Sequence, residues 1–361
     1  MNRNKFRSDL DAKMLSPGEN DKSLREYAFL SQVADMYYNQ GMLQAEIARN
    51  LYFSRSKVSR LLTQARELGI VDIKVKQITD RVPSLESALK KTFGIKDAVV
   101  ISNFHSTAQE VSLPDVVADF ASVYVSNLLR GNCIIGISNG RAVNRVTSRI
   151  TKMHSCNLDI VQIIGSGSNV NQALESRDQV SRIQSIFPGS RTHFLNAPLY
   201  MDNAFAREQL LQDPTISDIF GLMKKCDIVL TGIGLFDPSR FLTTEIIREY
   251  QLEHHARELE EKGAVGSICA KYYDIEGRYI DCEWNEKSIT MPFEDVLANH
   301  MTVGVACGSN KILPILGALR AGLLNVLITN ADTASTVLRT HTEGMSAFYE
   351  AQAQGSSEAY L

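Results

Sequence analysis

Two clusters of side chains in this sequence have the types and spacing for chemistry. Between Ser54 and Arg66 stand four basic residues, Arg55, Lys57, Arg60 and Arg66, and no acidic one, in a chain whose net charge is −3. The short hydrogen-bonding residues Ser56, Ser59 and Gln64 are interleaved with them. On a helix, Ser56 and Arg60 lie one turn apart on the same face. Cations separated by small hydroxyl and amide groups suit the phosphates and base edges of double-stranded DNA. The second cluster is dispersed over glycine-bearing turns: Gly136-Ile137-Ser138-Asn139-Gly140-Arg141, Gly165-Ser166-Gly167, Gly232-Ile233-Gly234 and Gly308-Ser309-Asn310-Lys311. Glycines let a backbone approach a ligand closely, free N–H groups at a helix start attract anions, and Lys311 adds a full positive charge. Arg141 either reaches such a ligand or caps its own helix. None of these turns is a Walker loop or a complete G-x-G-x-x-G fingerprint.

Metal, redox and membrane chemistry are not signalled. Six cysteines are scattered without a C-x-x-C pair and read as reduced, mostly buried thiols. The seven histidines have no metal spacing. His254 and His255 are adjacent, and on a helix adjacent side chains point about 100° apart, which opposes a shared metal. No cofactor is expected. No run approaches the roughly 20 apolar residues of a membrane span, and the polar N-terminal stretch has no apolar signal core, so a cytoplasmic location is expected.

The basic cluster needs a scaffold, and the preceding residues provide one. Leu30, Val33, Ala34 and Tyr37 form one helical stripe that Gly41 ends. Leu43, Ile47 and Leu51, with Ala48 beside them, make a second short helix. After a break at Tyr52-Phe53-Ser54, Ser54 caps a third helix whose inner stripe is Val58, Leu61, Leu62 and Ala65. Gly69 closes it, and Ile70 to Val75 alternates as a short strand. Two helices, a tight turn and an outward-facing third helix make a helix-turn-helix, with the strand as a wing.

Pro83 and Ser84 then start a helix with Leu85, Ala88, Leu89 and Phe93 on one face. It either couples the head to a sensor or packs on its own domain. From Asp97 the texture is that of an α/β domain. Apolar runs at Ala98–Ile101, Cys133–Ile137, Leu158–Ile164, Ile228–Leu230, Met301–Ala306 and Val326–Thr329 alternate with helical segments at Val116–Leu129, Ile312–Ala321 and Thr333–Phe348. Near-continuous apolar strands between helices imply a mostly parallel sheet covered on both faces. The glycine turns fall where such sheets bind ligands, at the C-terminal ends of strands. Asp274 to Arg278 reads as a hairpin turn and Glu258 to Lys262 as a solvated helix face.

Specific strings carry a family resemblance. Gln44-Ala45-Glu46-Ile47-Ala48-Arg49-Asn50-Leu51, Ser54 through Leu62 and Ala65 through Val71 resemble the DNA-binding head of SorC/DeoR sugar-binding regulators. Asn196 to Leu199, Asp227 to Gly234, Gly263 to Gly266, Val305 to Lys311 and Ala318 to Leu327 resemble that family's effector domain. The resemblance implies a sugar-phosphate-isomerase-like fold that senses without catalysis, a sugar or sugar-phosphate effector, operator DNA as partner, and a homodimer or homotetramer. It adds Gln44 to the DNA-binding set of Arg55, Ser56, Lys57, Ser59, Arg60 and Gln64. It places the effector among Gly136, Ser138, Asn139, Gly140, Arg141, Gly234, Ser267 and Lys311. Departures accompany it: Tyr52 where the turn often has glycine, a position that a tyrosine fits at negative φ; Ala142 for threonine; Ser267 for aspartate; Cys307 for glycine; and Asn330 for aspartate.

The expected layout is a leader at 1–22, a helix-turn-helix at 23–79, a linker helix at 83–94, an effector domain at 95–349 and a disordered tail at 350–361. The leading function is a transcriptional regulator of a carbohydrate operon. The alternatives are a sugar-phosphate isomerase or deaminase fused to a DNA-binding head, and an architectural DNA-binding protein with a degenerate pocket.

Overall fold

The computed structural model of the protein describes residues 20–71, 81–102, 112–152, 156–167, 176–238 and 253–350. The chain divides into two compact units, Met1–Gln77 and Ile78–Leu361. The leader through residue 19, the wing strand from residue 72 and the tail from residue 351 lie outside the described residues.

The first unit holds three helices, α1 (Asn20–Tyr38), α2 (Gln44–Asn50) and α3 (Arg55–Glu67). α1 starts inside the span read as leader. Leu30, Val33 and Ala34 are buried as their spacing requires, packed with Ile47, Ala48, Val58, Leu62 and Ala65. Leu43 departs from its expected inward position. It precedes the first turn of α2 and is 66% exposed. Its backbone N–H donates to Glu46 Oε2 at 2.8 Å, satisfying a donor that the helix start leaves unpaired. Ser54 caps α3 by accepting from the Lys57 N–H at 3.3 Å. Tyr52 does not keep the negative φ expected of it: φ is +56°, in the left-handed region that L side chains resist.

In the second unit, α4 (Pro83–Phe93) leads to β1 (Asp97–Ile101). Arg81 donates to both oxygens of buried Glu86, at 2.6 and 2.8 Å, and Glu86 Oε1 accepts from the Val100 N–H at 3.0 Å. With Leu89 fully buried, α4 is fastened to the sheet of its own unit. The chain continues through α5 (Leu113–Leu128), β2 (Asn132–Ile137), α6 (Arg141–Thr147), β3 (Asn157–Gln162), α7 (Ser176–Ile186) and β4 (Arg191–His193). Next come α8 (Ala204–Gln212), α9 (Pro214–Met223), β5 (Ile228–Gly232) and β6 (Gly234–Leu235). After α10 (Glu253–Glu261) follow β7 (Ala264–Ile268), β8 (Lys271–Asp274), α11 (Glu283–Lys287) and α12 (Phe293–Ala298). Last are β9 (Thr302–Val305), α13 (Ile312–Arg320), β10 (Val326–Asn330) and α14 (Ala331–Glu343).

Seven strands form one sheet in the order β1-β10-β9-β5-β2-β3-β4, and every pairing is parallel. Both faces are covered, so neighbouring residues of one strand serve different cores. Ala98 and Val100 join one apolar cluster, Val99 and Ile101 the other. A separate antiparallel sheet, β6-β7-β8, stands beside the large one. The order also fixes where a ligand fits. β2 is followed on one side by β3, and β5 on the other side by β9, so the connections diverge between β2 and β5. Such a switch point opens a crevice beyond the strands' C-terminal ends.

Candidate functional site

A cavity of about 520 Å³ lies at that crevice, within the range of small-molecule sites. Ser138, Asn139, Gly140, Arg141, Ala142 and Arg145 enter it from the turn after β2 and from α6. Thr231 to Gly234 enter from the end of β5, and Val305 to Cys307, Asn310 and Lys311 from the end of β9. Ser267, Cys269, Ala270, Tyr272 and Trp284 close it from the β7–β8 hairpin and α11.

The expected effector residues thus come together, with one exception. Gly136 lies within β2, away from the cavity. A Cβ there would stand 2.8 Å from Ile163 Cγ2 and 3.1 Å from Cys226 Sγ, so this glycine serves packing and is corrected out of the set. Of the departures, Ala142, Ser267 and Cys307 line the cavity. Asn330 does not. It is buried, and its Oδ1 accepts from Thr333 Oγ1 at 2.6 Å, beside the Gly308 N–H that Thr333 Oγ1 accepts at 2.9 Å.

Sequence reasoning missed much of the wall. Trp284 and Tyr272 belong to none of the glycine turns that follow strands of the large sheet. Trp284 is held by its Nε1–H donating to Ala270 O at 3.0 Å. Asn285 steadies β8 beneath it, accepting from the Tyr272 N–H at 2.8 Å and donating to Tyr272 O at 2.9 Å. Cys269 and Ala270, the two residues joining β7 to β8, both have positive φ, 49° and 57°. That is the backbone of a primed hairpin turn, usually built from Asn-Gly.

The lining has a definite charge. It contains Arg141, Arg145 and Lys311 and, among the described residues, no Asp, Glu or His. Arg145 Nε is 3.3 Å from Asp115 Oδ1, an oxygen that Arg149 shares at 2.7 Å while also pairing with Asp119 at 3.1 Å, so both carboxylates lie behind the lining and not in it. Lys311 Nζ donates to Ile233 O at 2.7 Å, at the cavity edge. A neutral polar cluster lies on the floor, where Ser138 Oγ is 3.3 Å from Thr231 Oγ1. Burial pushes the Cys307 thiol up to about 11 and the Cys269 thiol up to about 12, so both stay protonated at neutral pH. All six cysteines are free, with Cys226, Cys269 and Cys282 buried and the other three half-buried.

On α3, Arg55, Ser56, Lys57, Ser59 and Arg60 are all exposed, and Gln44 is half-buried at the start of α2. Lys57 Nζ sits 4.0 Å over the Phe53 ring. Gln64 is turned elsewhere: its Nε2 donates to Glu26 Oε1 on α1 at 3.1 Å, a link within the helical unit. One further correction concerns the adjacent histidines. The His254 and His255 rings do not diverge, their centroids being 3.8 Å apart, and both face Glu283.

A cavity with three cations at the switch point of a parallel sheet, in a chain that also carries a three-helix unit with an exposed basic helix, has the parts of a ligand-responsive DNA-binding regulator. The Sugar-bind family model, a sugar-binding domain, matches residues 79–339. The chain is 31% identical over 331 residues to the sorbitol operon regulator of Klebsiella pneumoniae, covering 89% of this chain and 100% of that one. It is 26% identical over 307 residues to the deoxyribonucleoside regulator of Bacillus subtilis, covering 85% of this chain and 96% of that one. The crystal structure of the full-length Klebsiella sorbitol operon regulator superposes with a TM-score of 0.67 at 29% identity, covering 86% of this chain and 98% of that one. The chain belongs to the SorC/DeoR family of sugar-binding transcriptional regulators. It is a transcriptional regulator, and its relatives' functions favour that reading over the isomerase or deaminase alternative. No helix among the described residues is long and apolar enough to cross a membrane.

Proposed function

We propose that the chain is a cytoplasmic homo-oligomer, dimeric or tetrameric, whose cavity takes a phosphorylated sugar and whose α3 reads operator DNA. The observation that carries the effector class is the lining: three cations, two of them arginines, and no described carboxylate. Arginine forks match phosphate oxygens in a bidentate way, and Lys311 adds a point charge. Trp284 and Tyr272 offer apolar faces to a sugar ring, while Ser138, Thr231 and Asn310 supply partners for hydroxyls. Binding would favour one arrangement of the oligomer and so change the spacing of its DNA heads. In this reading residues 23–79 are the head, 83–94 the connecting helix and 95–349 the effector domain. Arg55, Ser56, Lys57, Ser59 and Arg60, with Gln44, contact DNA.

The test is thermal denaturation of the full chain against sugars and their phosphates. An effector at 100 times its Kd stabilises the native state by about 2.7 kcal/mol. The expected result is a shift with a phosphorylated sugar only, lost in Lys311→Ala. Equal shifts with the unphosphorylated sugar, or a shift that survives Lys311→Ala together with Arg141→Ala, would defeat the phosphate reading.

A further inference from the structure

Behind the Trp284 wall, outside the cavity lining, three metal-ligating side chains converge. Glu283 Oε2 lies 3.1 Å from His254 Nε2 and 3.8 Å from His255 Nδ1. One donor atom from each of the three lies within 4.8 Å of the others. His255 is fully buried, and its Nε2 is 2.9 Å from Tyr200 Oη. Its Nδ1 is buried with no hydrogen-bond partner. An orphaned ring nitrogen in a packed interior is costly and calls for a reason. If Nε2 carries the proton and donates it to Tyr200, Nδ1 presents a lone pair toward Glu283. That is the tautomer a metal ligand adopts, with the second nitrogen fixed by an outer hydrogen bond. The carboxylate is also oriented: Lys287 binds its other oxygen, Oε1, and is itself paired with Asp202 at 3.2 Å. Oε2 is therefore the oxygen turned to both imidazoles. Glu258 Oε2 stands 3.9 Å from the same Nδ1 and accepts from the Glu283 N–H at 3.2 Å, which fixes the start of α11 beside the imidazole.

We propose that His254, His255 and Glu283 bind a divalent transition-metal ion of the zinc class, bracing α10 against α11. Ligand atoms about 2.1 Å from a tetrahedral ion lie about 3.4 Å from one another. The observed 3.1 and 3.8 Å separations bracket that distance. Two imidazoles with one carboxylate select a borderline ion over magnesium or calcium, which take oxygen ligands. The site has a direct route to the cavity wall. Trp284 follows Glu283 in the chain, and its indole stacks on the Tyr200 ring at 5.3 Å and 20°. Tyr200, in turn, orients His255. An ion here would hold the indole that closes the cavity.

The experiment uses the metal-free full chain and Zn²⁺ alone. Competition against a chromophoric chelator gives affinity and stoichiometry, and Trp284, the sole tryptophan, reports locally by fluorescence. One ion per chain is expected, with a fluorescence change that saturates at the same stoichiometry. His254→Ala, at an exposed position, and Glu283→Gln should each weaken binding at least tenfold while leaving the circular dichroism spectrum unchanged. Tyr200→Phe, which keeps all three ligands, should weaken it roughly 10–100-fold. Failure of the native chain to take Zn²⁺ from the chelator overturns the proposal. So does binding whose affinity and stoichiometry are the same in native protein and His254→Ala, which would locate the ion elsewhere. Neither outcome depends on an effector, so the phosphate reading of the cavity stands or falls separately.

Discussion

At the scale of single residues, the informative positions are those held against their own preferences. Tyr52 is 95% exposed with φ +56°. A left-handed conformation costs an L side chain about 1–2 kcal/mol, and glycine avoids that cost while losing some chain entropy. Tyr52→Gly should therefore raise the stability of the helical unit by up to about 1 kcal/mol, read as a higher Tm. If the same variant loses operator affinity, the ring belongs to the DNA contact and the strain is kept for it. Lys271 is a second case. Its ammonium is buried at 5% exposure and bonded to Asn285 O and Ser288 Oγ. Burial first, then the nearby Arg207 charge, push its pKa down to about 8 from an ordinary 10.5. Between pH 8 and 10.5 the unfolded chain thus binds more protons than the folded one, so stability from this group rises with pH across that window. The rise amounts to about 3 kcal/mol at most. Denaturant titrations from pH 7.5 to 10.5 should show a steeper gain for the native chain than for Lys271→Met.

At the scale of elements, the β7–β8 hairpin combines strain with position. Its turn places Cys269 and Ala270 at positive φ, and the Ala270 carbonyl holds the Trp284 indole. Ala270→Gly should stabilise the domain by about 1 kcal/mol while loosening that wall. Calorimetry would show a higher Tm together with weaker effector binding; a higher Tm with unchanged binding would make the turn structural only. This hairpin was also among the least legible parts of the sequence. Strands β1, β2, β3, β5, β9 and β10 announce themselves because burial on both faces demands unbroken β-branched runs. β4 does not: it is three residues, Arg-Thr-His, at the sheet edge, and Asp159 on β3 binds both Arg191 and His193. The site divides the same way. Ser138 to Arg141, Gly234 and Lys311 follow strands and carry the glycines that turns require. Trp284 and Tyr272 reach the cavity through tertiary packing, which no local pattern encodes. Gly136 misled because a glycine within a strand can mean close packing as easily as a ligand. Gln64, expected at the DNA, also reaches across to Glu26 on α1, a tertiary contact that its place on the helix flank does not announce.

At the scale of the molecule, binding sites on two compact units of one regulator invite a thermodynamic test. If the effector changes operator affinity by some factor, operator DNA must change effector affinity by the same factor. Titrating effector with and without operator, and operator with and without effector, should return one coupling constant. Lys57→Ala should weaken DNA binding across all sequences and reduce the magnitude of the log–log salt slope by about 1, whereas a base-reading Arg60 would lose affinity selectively for the operator. The two titrations agree by necessity, so control of the head by the cavity is established by a coupling constant different from 1 that Lys311→Ala abolishes together with effector binding.

The pairing of β1 with β10 has a consequence for how the protein is made. The first strand of the sheet finds its neighbour only when Val326–Asn330 has been synthesised, more than two hundred residues later. The three helices of the head depend on contacts within a few tens of residues and can form on the emerging chain. A ribosome halted before β10 would therefore release a folded helical head joined to a sheet that lacks the strand between β1 and β9. In the cell, such a fragment would be an unregulated competitor for the operator and a target for proteases that recognise its unpaired strands.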